Sequence, residues 1–319
     1  MRLKSFLVTI VALFVLANVI VAAMQRCGIV PAPEGALEGG QQAEVTTPPS
    51  VAGVGGDGVA AALAATTLPT VARPPAGIEG LQLQLSRPLM FDIGALGGLA
   101  AEGAYLYVAA WDASAEAPML YQVEGDSQSI AQVRALSEEG VTAVGGIDAG
   151  GGRVWAPLVR GAGDSTLILG VDAATLEVRE LFEAPLGVVA LAVGAGDRIY
   201  GVSADGATWL EWLPDGTPVR EVAAVGGVRY SDLAYAGGSL LAAGSDGHQG
   251  VVDVIDPLGF SLLVRHACDG GAWVTGGGLE VTEEVVLLLP EGGSRPSVLT
   301  YVPEGSLAEF APSVVEAGW

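Results

Sequence analysis

The sequence predicts an all-β fold: a five-bladed β-propeller with four antiparallel strands per blade, preceded by an N-terminal transmembrane helix and a disordered linker. Three observations predict it. A phrase of paired small residues, an aliphatic, a turn and a hydrophobic run recurs five times; each copy is followed by two further runs of strand length; and an uncharged twenty-residue stretch stands ahead of a Pro/Gly/Ala-rich one.

Ser5 to Met24, "SFLVTIVALFVLANVIVAAM", carries no charge, and its twenty residues at about 1.5 Å each span roughly the 30 Å hydrocarbon core. Arg2 and Lys4 before it and Arg26 after it suit an anchor whose short end stays in the cytoplasm. Val21-Ala22-Ala23 also resembles a cleavage site, so residues 1–26 are read as a signal anchor or a signal peptide. The rest of the chain is then outside the cytoplasm, membrane-anchored, or secreted if the segment is cleaved. Arg26 occupies the place where a lipoprotein signal needs a small residue, so Cys27 reads as a free thiol. Cys268 lies 241 residues further on, which excludes a disulfide framework and leaves stability to a packed core.

Residues 27–78 contain no aromatic residue and no sustained period, and Pro, Gly and Ala cannot bury enough surface to offset chain entropy; they are read as a disordered tether. Arg2, Lys4 and Arg26 are three of the 14 basic residues, so the chain beyond them bears 36 acidic side chains and a net charge of −25. That sign excludes nucleic acid as a partner and disfavours anionic lipid surfaces.

Residues 79–312 hold the repeat, and 313–319 read as a C-terminal tail. The aliphatic after the paired small residues falls at Leu99, Ile147, Leu191, Leu233 and Leu279, spaced by 48, 44, 42 and 46 residues. A second hydrophobic run opens seven or eight residues later, at Leu106, Val154, Ile199, Leu240 and Val286. Two more runs flank a turn that an acidic residue begins in most copies, as in "GVDAATLEV" and "DVIDPLGFSLLVR". Four strands in about 40–45 residues make a propeller blade. A sixth marker has no room at either end. "LQLQLS", Leu81 to Ser86, is then an orphan outer strand, expected to pair with the last blade and close the ring with one face packed. The small residues let five inner strands approach one axis. Tyr107, Trp155 and Tyr200 align with Leu241 and Leu287, and Trp212 with Leu169, so all four aromatics read as packing between blades.

Loops at one face of a propeller carry the working surface. There the ligand-binding candidates are Trp111, Arg160, Arg229, Tyr230, His248 and Trp273. The candidate catalytic set is Asp148, Asp232 and Glu280: Asp148 and Glu280 follow their markers by one residue, Asp232 precedes its own by one, and alternation puts all three on one face. Such a group suits acid–base work on a glycosidic bond or Ca²⁺ ligation by hard oxygens; otherwise it bonds strand-end amides or lines a wet channel. No cofactor other than that Ca²⁺ is implied. His266 and Cys268 form H-x-C, but zinc needs about four ligands, or three with water, and the one other histidine is His248.

With "GVDAATLEV", "DLAYAGGSLLAAGSDG", "DVIDPLGFSLLVR" and "GGLEV", the chain resembles the five-bladed repeat propellers, and from Asp232 through Glu280 it is similar to glutaminyl-peptide cyclotransferase-like propellers. The resemblance implies the fold. Where that family has an acidic strand motif this chain has Gly277-Gly278-Leu279-Glu280, and only Glu280 carries over. The leading expectation is a membrane-tethered binding module for a protein, peptide or glycan; the alternative is an exported hydrolase or cyclotransferase working through the three carboxylates.

Overall fold

The computed structural model describes residues 77–161, 165–223, 227–268, 277–282, 284–290 and 296–312. The predicted apolar span, the tether up to residue 76, Cys27, Trp273 and the tail lie outside the described residues. Among the described residues no helix is long and apolar enough to cross a membrane.

The strand β1 (Leu81–Pro88) precedes five sheets that follow the repeat. Blade 1 is β2 (Ala95–Glu102), β3 (Tyr105–Asp112), β4 (Ala117–Glu124) and β5 (Ile130–Ala135). Blade 2 is β6 (Val141–Val144) with β7 (Asp148–Gly150), then β8 (Arg153–Arg160), β9 (Ser165–Asp172) and β10 (Val178–Ala184). Blade 3 is β11 (Val188–Val193), β12 (Ile199–Ser203), β13 (Thr208–Trp212) and β14 (Pro218–Ala223). Blade 4 is β15 (Arg229–Ala236), β16 (Ser239–Ser245), β17 (Gly250–Asp256) and β18 (Ser261–Cys268). Blade 5 is β19 (Gly278–Val281), β20 (Val286–Leu289) and β21 (Ser297–Pro303), and β1 supplies its outermost strand.

The ring closes as the sequence predicts. β1 pairs antiparallel with β21 from Leu81↔Pro303 to Pro88↔Ser297. Its alternation, however, does not give a packed face: the register shifts between Leu83 and Leu85, and both side chains stay exposed at the rim while Leu81 is buried. The helical turn α1 (Leu307–Phe310), held by a capping box between Ser306 and Glu309, then lays the Phe310 ring on His266 of β18 at 4.0 Å.

Five apolar clusters fill the five gaps between neighbouring blades. Tyr107, Trp155, Tyr200, Leu241 and Leu287 each stand in a different one, so one position of the second strand supplies every interface. Trp212 packs between blades 2 and 3, as expected. The acidic turn residues act on their own backbone: Asp172 Oδ1 accepts from the amides of Ala174 and Thr175, and Asp256 holds those of Leu258 and Gly259.

The markers Leu99, Ile147, Leu191, Leu233 and Leu279 are fully buried, and the chain just before them is irregular in a repeated way. The ladder slips between Leu96 and Gly98, between Val188 and Ala190, and between Tyr230 and Asp232. Blade 2 carries this further, because Gly145–Ile147 interrupts its inner strand and divides it into β6 and β7. A bulge turns backbone amides out of their own ladder. Here they turn toward the neighbouring blade: Gly146 N donates to Val189 O at 2.8 Å, and Leu191 N donates to Gly146 O at 3.1 Å.

Candidate functional site

The residues one before each marker are Gly98, Gly146, Ala190, Asp232 and Gly278. Four are small and one is an aspartate, because the axis has room for one side chain. A Cβ on Gly146 would overlap Asp232 Oδ1, and one on Gly98 would overlap the backbone of Ile147.

Asp232 fills that space and is completely buried. Its Oδ2 accepts the N–H of Leu279 at 2.7 Å from blade 5 and that of Leu99 at 3.2 Å from blade 1, while Oδ1 accepts from Leu233 at 3.0 Å. Asp148 and Glu280, one after their markers, share a different and repeated geometry. Each takes the amide of its own following residue with one oxygen, at 2.7 Å from Ala149 and 2.7 Å from Val281. The other oxygen reaches the next blade: Asp148 Oδ2 accepts from Val193 at 2.7 Å, and Glu280 Oε2 from Ala101 at 2.7 Å. All six carboxylate oxygens are engaged by backbone N–H groups.

Burial pushes the Asp148 carboxyl up to about 7, against the pull of its two amides. Burial raises Asp232 well above the ordinary aspartate range, and burial together with the charge of Asp148 raises Glu280. Glu102 adds repulsion to both Asp148 and Glu280. Among the described residues no group of three or more acidic, His or Cys side chains is arranged to hold a metal ion. His266 Nε2 lies 2.9 Å from the Phe310 carbonyl, which is a structural use of that ring.

A second feature lies at the outer rim between blades 3 and 4. A cleft of about 330 Å³ has Trp209, Ile255 and Phe260 as its apolar floor, with Tyr230, Leu262 and Arg265 along its side. Trp209 stacks on Phe260 at 5.4 Å between centroids and meets Tyr230 at 5.5 Å. Behind the wall, fully buried Asp253 receives Arg265 Nε and Nη2 at 2.8 Å each and the Tyr230 hydroxyl at 2.7 Å. Burial and the Asp253 charge hold Tyr230 protonated, and the Asp253 hydrogen bonds raise Arg265, so this pair is a permanent fork. Below the cleft Arg220 stacks on Phe260 at 4.5 Å and bonds Glu211 and the carbonyls of Pro257 and Leu258, joining blade 3 to the β17–β18 turn.

Of the sequence-predicted loop residues, Trp273 lies outside the described residues and the other five are placed as follows. Trp111 is half-buried at the end of β3; Arg160, at the end of β8, pairs with Glu183 at 3.7 Å; Arg229 and His248 are exposed in blade 4. Among the described residues none of them bonds another, and only Tyr230 enters the cleft.

No protein-family model matches the chain, and no curated protein matches it. Solved structures do. The chain is similar to the Pan2 WD40 domain of Neurospora crassa at 12% identity, over 65% of this chain and 60% of that one, with a TM-score of 0.44. To the PQQ-bound aldose sugar dehydrogenase of Streptomyces coelicolor it is 12% identical over 73% of this chain and all of that one, with a TM-score of 0.43. BamB from Moraxella catarrhalis gives 15%, 64% and 59%, with a TM-score of 0.39. The chain thus spans about six-tenths of the Pan2 domain and of BamB. The fold assignment itself rests on the five sheets and their closure.

Sequence reasoning missed the Asp253–Arg265 fork and the Trp209–Phe260 stack. A signal existed: an aspartate in the middle of the apolar run "GVVDVI" needs a partner when buried. The partner was hidden because a bulge between Val254 and Ile255 shifts the hairpin and sets Arg265, rather than Val264, opposite Asp253.

Proposed function

We propose that the protein is an interaction module: a propeller held outside the cytoplasm by its N-terminal apolar segment and linker, presenting a binding surface to a protein, peptide or glycan. The observation that carries this is the state of the axis. The carboxylates that hydrolytic or cyclotransfer chemistry would use are buried, every one of their oxygens holds a backbone amide, and each carboxylate reaches at least one amide of another blade. Groups so engaged are spent on closing the ring. The rim cleft, in contrast, is concave, apolar at its base and open to solvent, the usual character of a binding site.

The compartment follows from the order of segments: a charge-free twenty-residue span with basic flanks, a Pro/Gly/Ala-rich tether, then an acidic domain. A peptide, glycan and metabolite binding screen on the full-length chain tests the module. Protease added to intact cells tests the placement, because exposed tether is the preferred site of nicking. Release of the folded domain supports it, and complete protection reverses it.

One observation favours a second reading. Asp148, pushed up to about 7, holds a proton in the range a general acid needs, so an exported hydrolase remains the alternative. Loss of an activity in the Asp148→Asn variant, with unchanged folding, would promote it.

A further inference from the structure

We propose that the cleft between blades 3 and 4 binds an extended, basic peptide by seating one bulky apolar side chain on Trp209 and Phe260. This rests on the interaction-module reading and names the site and the ligand class. Size sets the first limit: about 330 Å³ is at the small end of ligand pockets, enough for one large side chain and too little for an oligosaccharide.

The walls set the second. The cleft runs from Gly206 and Val228 at one face of the ring to Gly259 and Phe260 at the other, between Ala223 of β14 and Leu262 of β18. Those are the outermost strands of their sheets. A sheet edge offers backbone donors and acceptors to an added strand. The chain already uses the far end of this one, where Ile78 bridges Cys268 and Glu79 N donates to Ala267 O at 3.0 Å. An extended peptide continuing past Leu262 would point alternate side chains into the cleft.

Charge sets the third limit. The guanidinium in the cleft wall and the one beneath its floor are committed, Arg265 to Asp253 and Arg220 to Glu211, so the floor makes no demand for an anion. Beside the cleft stand Asp205, next to the lining Gly206, Asp246, 4.0 Å from Arg265, and Asp256, which holds the amide of the lining Gly259, on a chain whose net charge is −22. Lysine or arginine beside the apolar residue complements those charges and is steered toward them.

The test is selection of a phage-displayed random peptide library on the full-length chain, followed by affinity measurement with the enriched peptides. Enriched sequences should share a large apolar residue with Lys or Arg within a few positions of it. Leu262→Arg puts a charge of the peptide's own sign on the half-exposed lip, and Ala223→Arg narrows the opposite wall; each should weaken binding at least about tenfold, whereas Leu181→Arg, exposed on blade 2, should not. Peptides that bind both cleft variants like wild type overturn the site but leave the module standing. Enrichment of acidic sequences, or binding of glycans or small aromatic acids at the cleft in place of peptides, overturns the ligand class. Failure of every ligand class to bind overturns the module itself.

Discussion

Asp232 Oδ2 lies 2.7 Å from the backbone nitrogen of Leu279, so a side chain of blade 4 holds the innermost strand of blade 5, and the same oxygen reaches Leu99 of blade 1 at 3.2 Å. One aspartate thereby joins three blades across the axis. Replacing it with alanine leaves buried N–H donors unmatched, each costing about 1–3 kcal/mol. Asp232→Ala is expected to lose on the order of 3 kcal/mol in urea unfolding, with Asp232→Asn losing less because its carbonyl still accepts. A loss below about 0.5 kcal/mol, the level of an ordinary surface change, would show that the axis does not depend on it.

Asp148 gives the fold a pH dependence of unusual sign. Its folded carboxyl is pushed up to about 7 from an ordinary 3.8, so between those values the folded form holds a proton that the unfolded form has released. Stability therefore falls as pH rises through that window, by at most about 1.4 kcal/mol per pH unit for one group, and the penalty is complete above it. Asp148→Asn should flatten this slope when denaturation midpoints are compared at mildly acidic and mildly alkaline pH. A slope unchanged by the substitution would assign it elsewhere. The exposed turn acids Asp112, Asp172, Asp205, Asp215 and Asp246 are lowered by their hydrogen bonds and act oppositely, losing their contribution only in stronger acid.

Two glycines in blade 2 should differ sharply. A Cβ at Gly146 would overlap Asp232, while one at Gly152 meets nothing within 4 Å. Gly152→Ala has only its positive φ of 76° to accommodate, a cost of about 1 kcal/mol. Gly146→Ala should prevent folding or lower the melting temperature by far more. Equal soluble yields and melting curves would mean that the inner strands can spread.

How much of this was legible depended on range. Spacing of Leu99, Ile147, Leu191, Leu233 and Leu279 was enough for the blade count, and alignment of Tyr107, Trp155 and Tyr200 with Leu241 and Leu287 placed them between blades, because both are periodic features of one chain direction. The pairing of β1 with β21 was legible as a strand left without a blade. The break at Gly145–Ile147 was not, nor the exposure of Leu83 and Leu85, since each depends on a bulge that adds one residue without changing composition. The three carboxylates were found as a group, and their amide partners were not: Ala101 and Glu280 lie 179 residues apart, and only the closed ring brings them together.

Closure by β1 carries a separate expectation. Deleting residues 1–88 removes the outermost strand of blade 5 and exposes the edge of β21, an aggregation hazard. The shortened chain should be poorly soluble, and a synthetic peptide covering Leu81 to Pro88 should recover folded protein when present during refolding. A soluble, cooperatively unfolding shortened chain would show that four blades and three strands suffice.

The most direct test of the claim that Asp148, Asp232 and Glu280 serve the ring is thermal unfolding of the full-length chain with excess Ca²⁺ against chelator. Carboxylates whose oxygens already hold amides offer no free ligand, so the melting temperature should be the same in both. A Ca²⁺-dependent rise that disappears in Asp148→Asn and Glu280→Gln would contradict the account, because stabilisation by mass action requires an ion bound to the folded state at those groups.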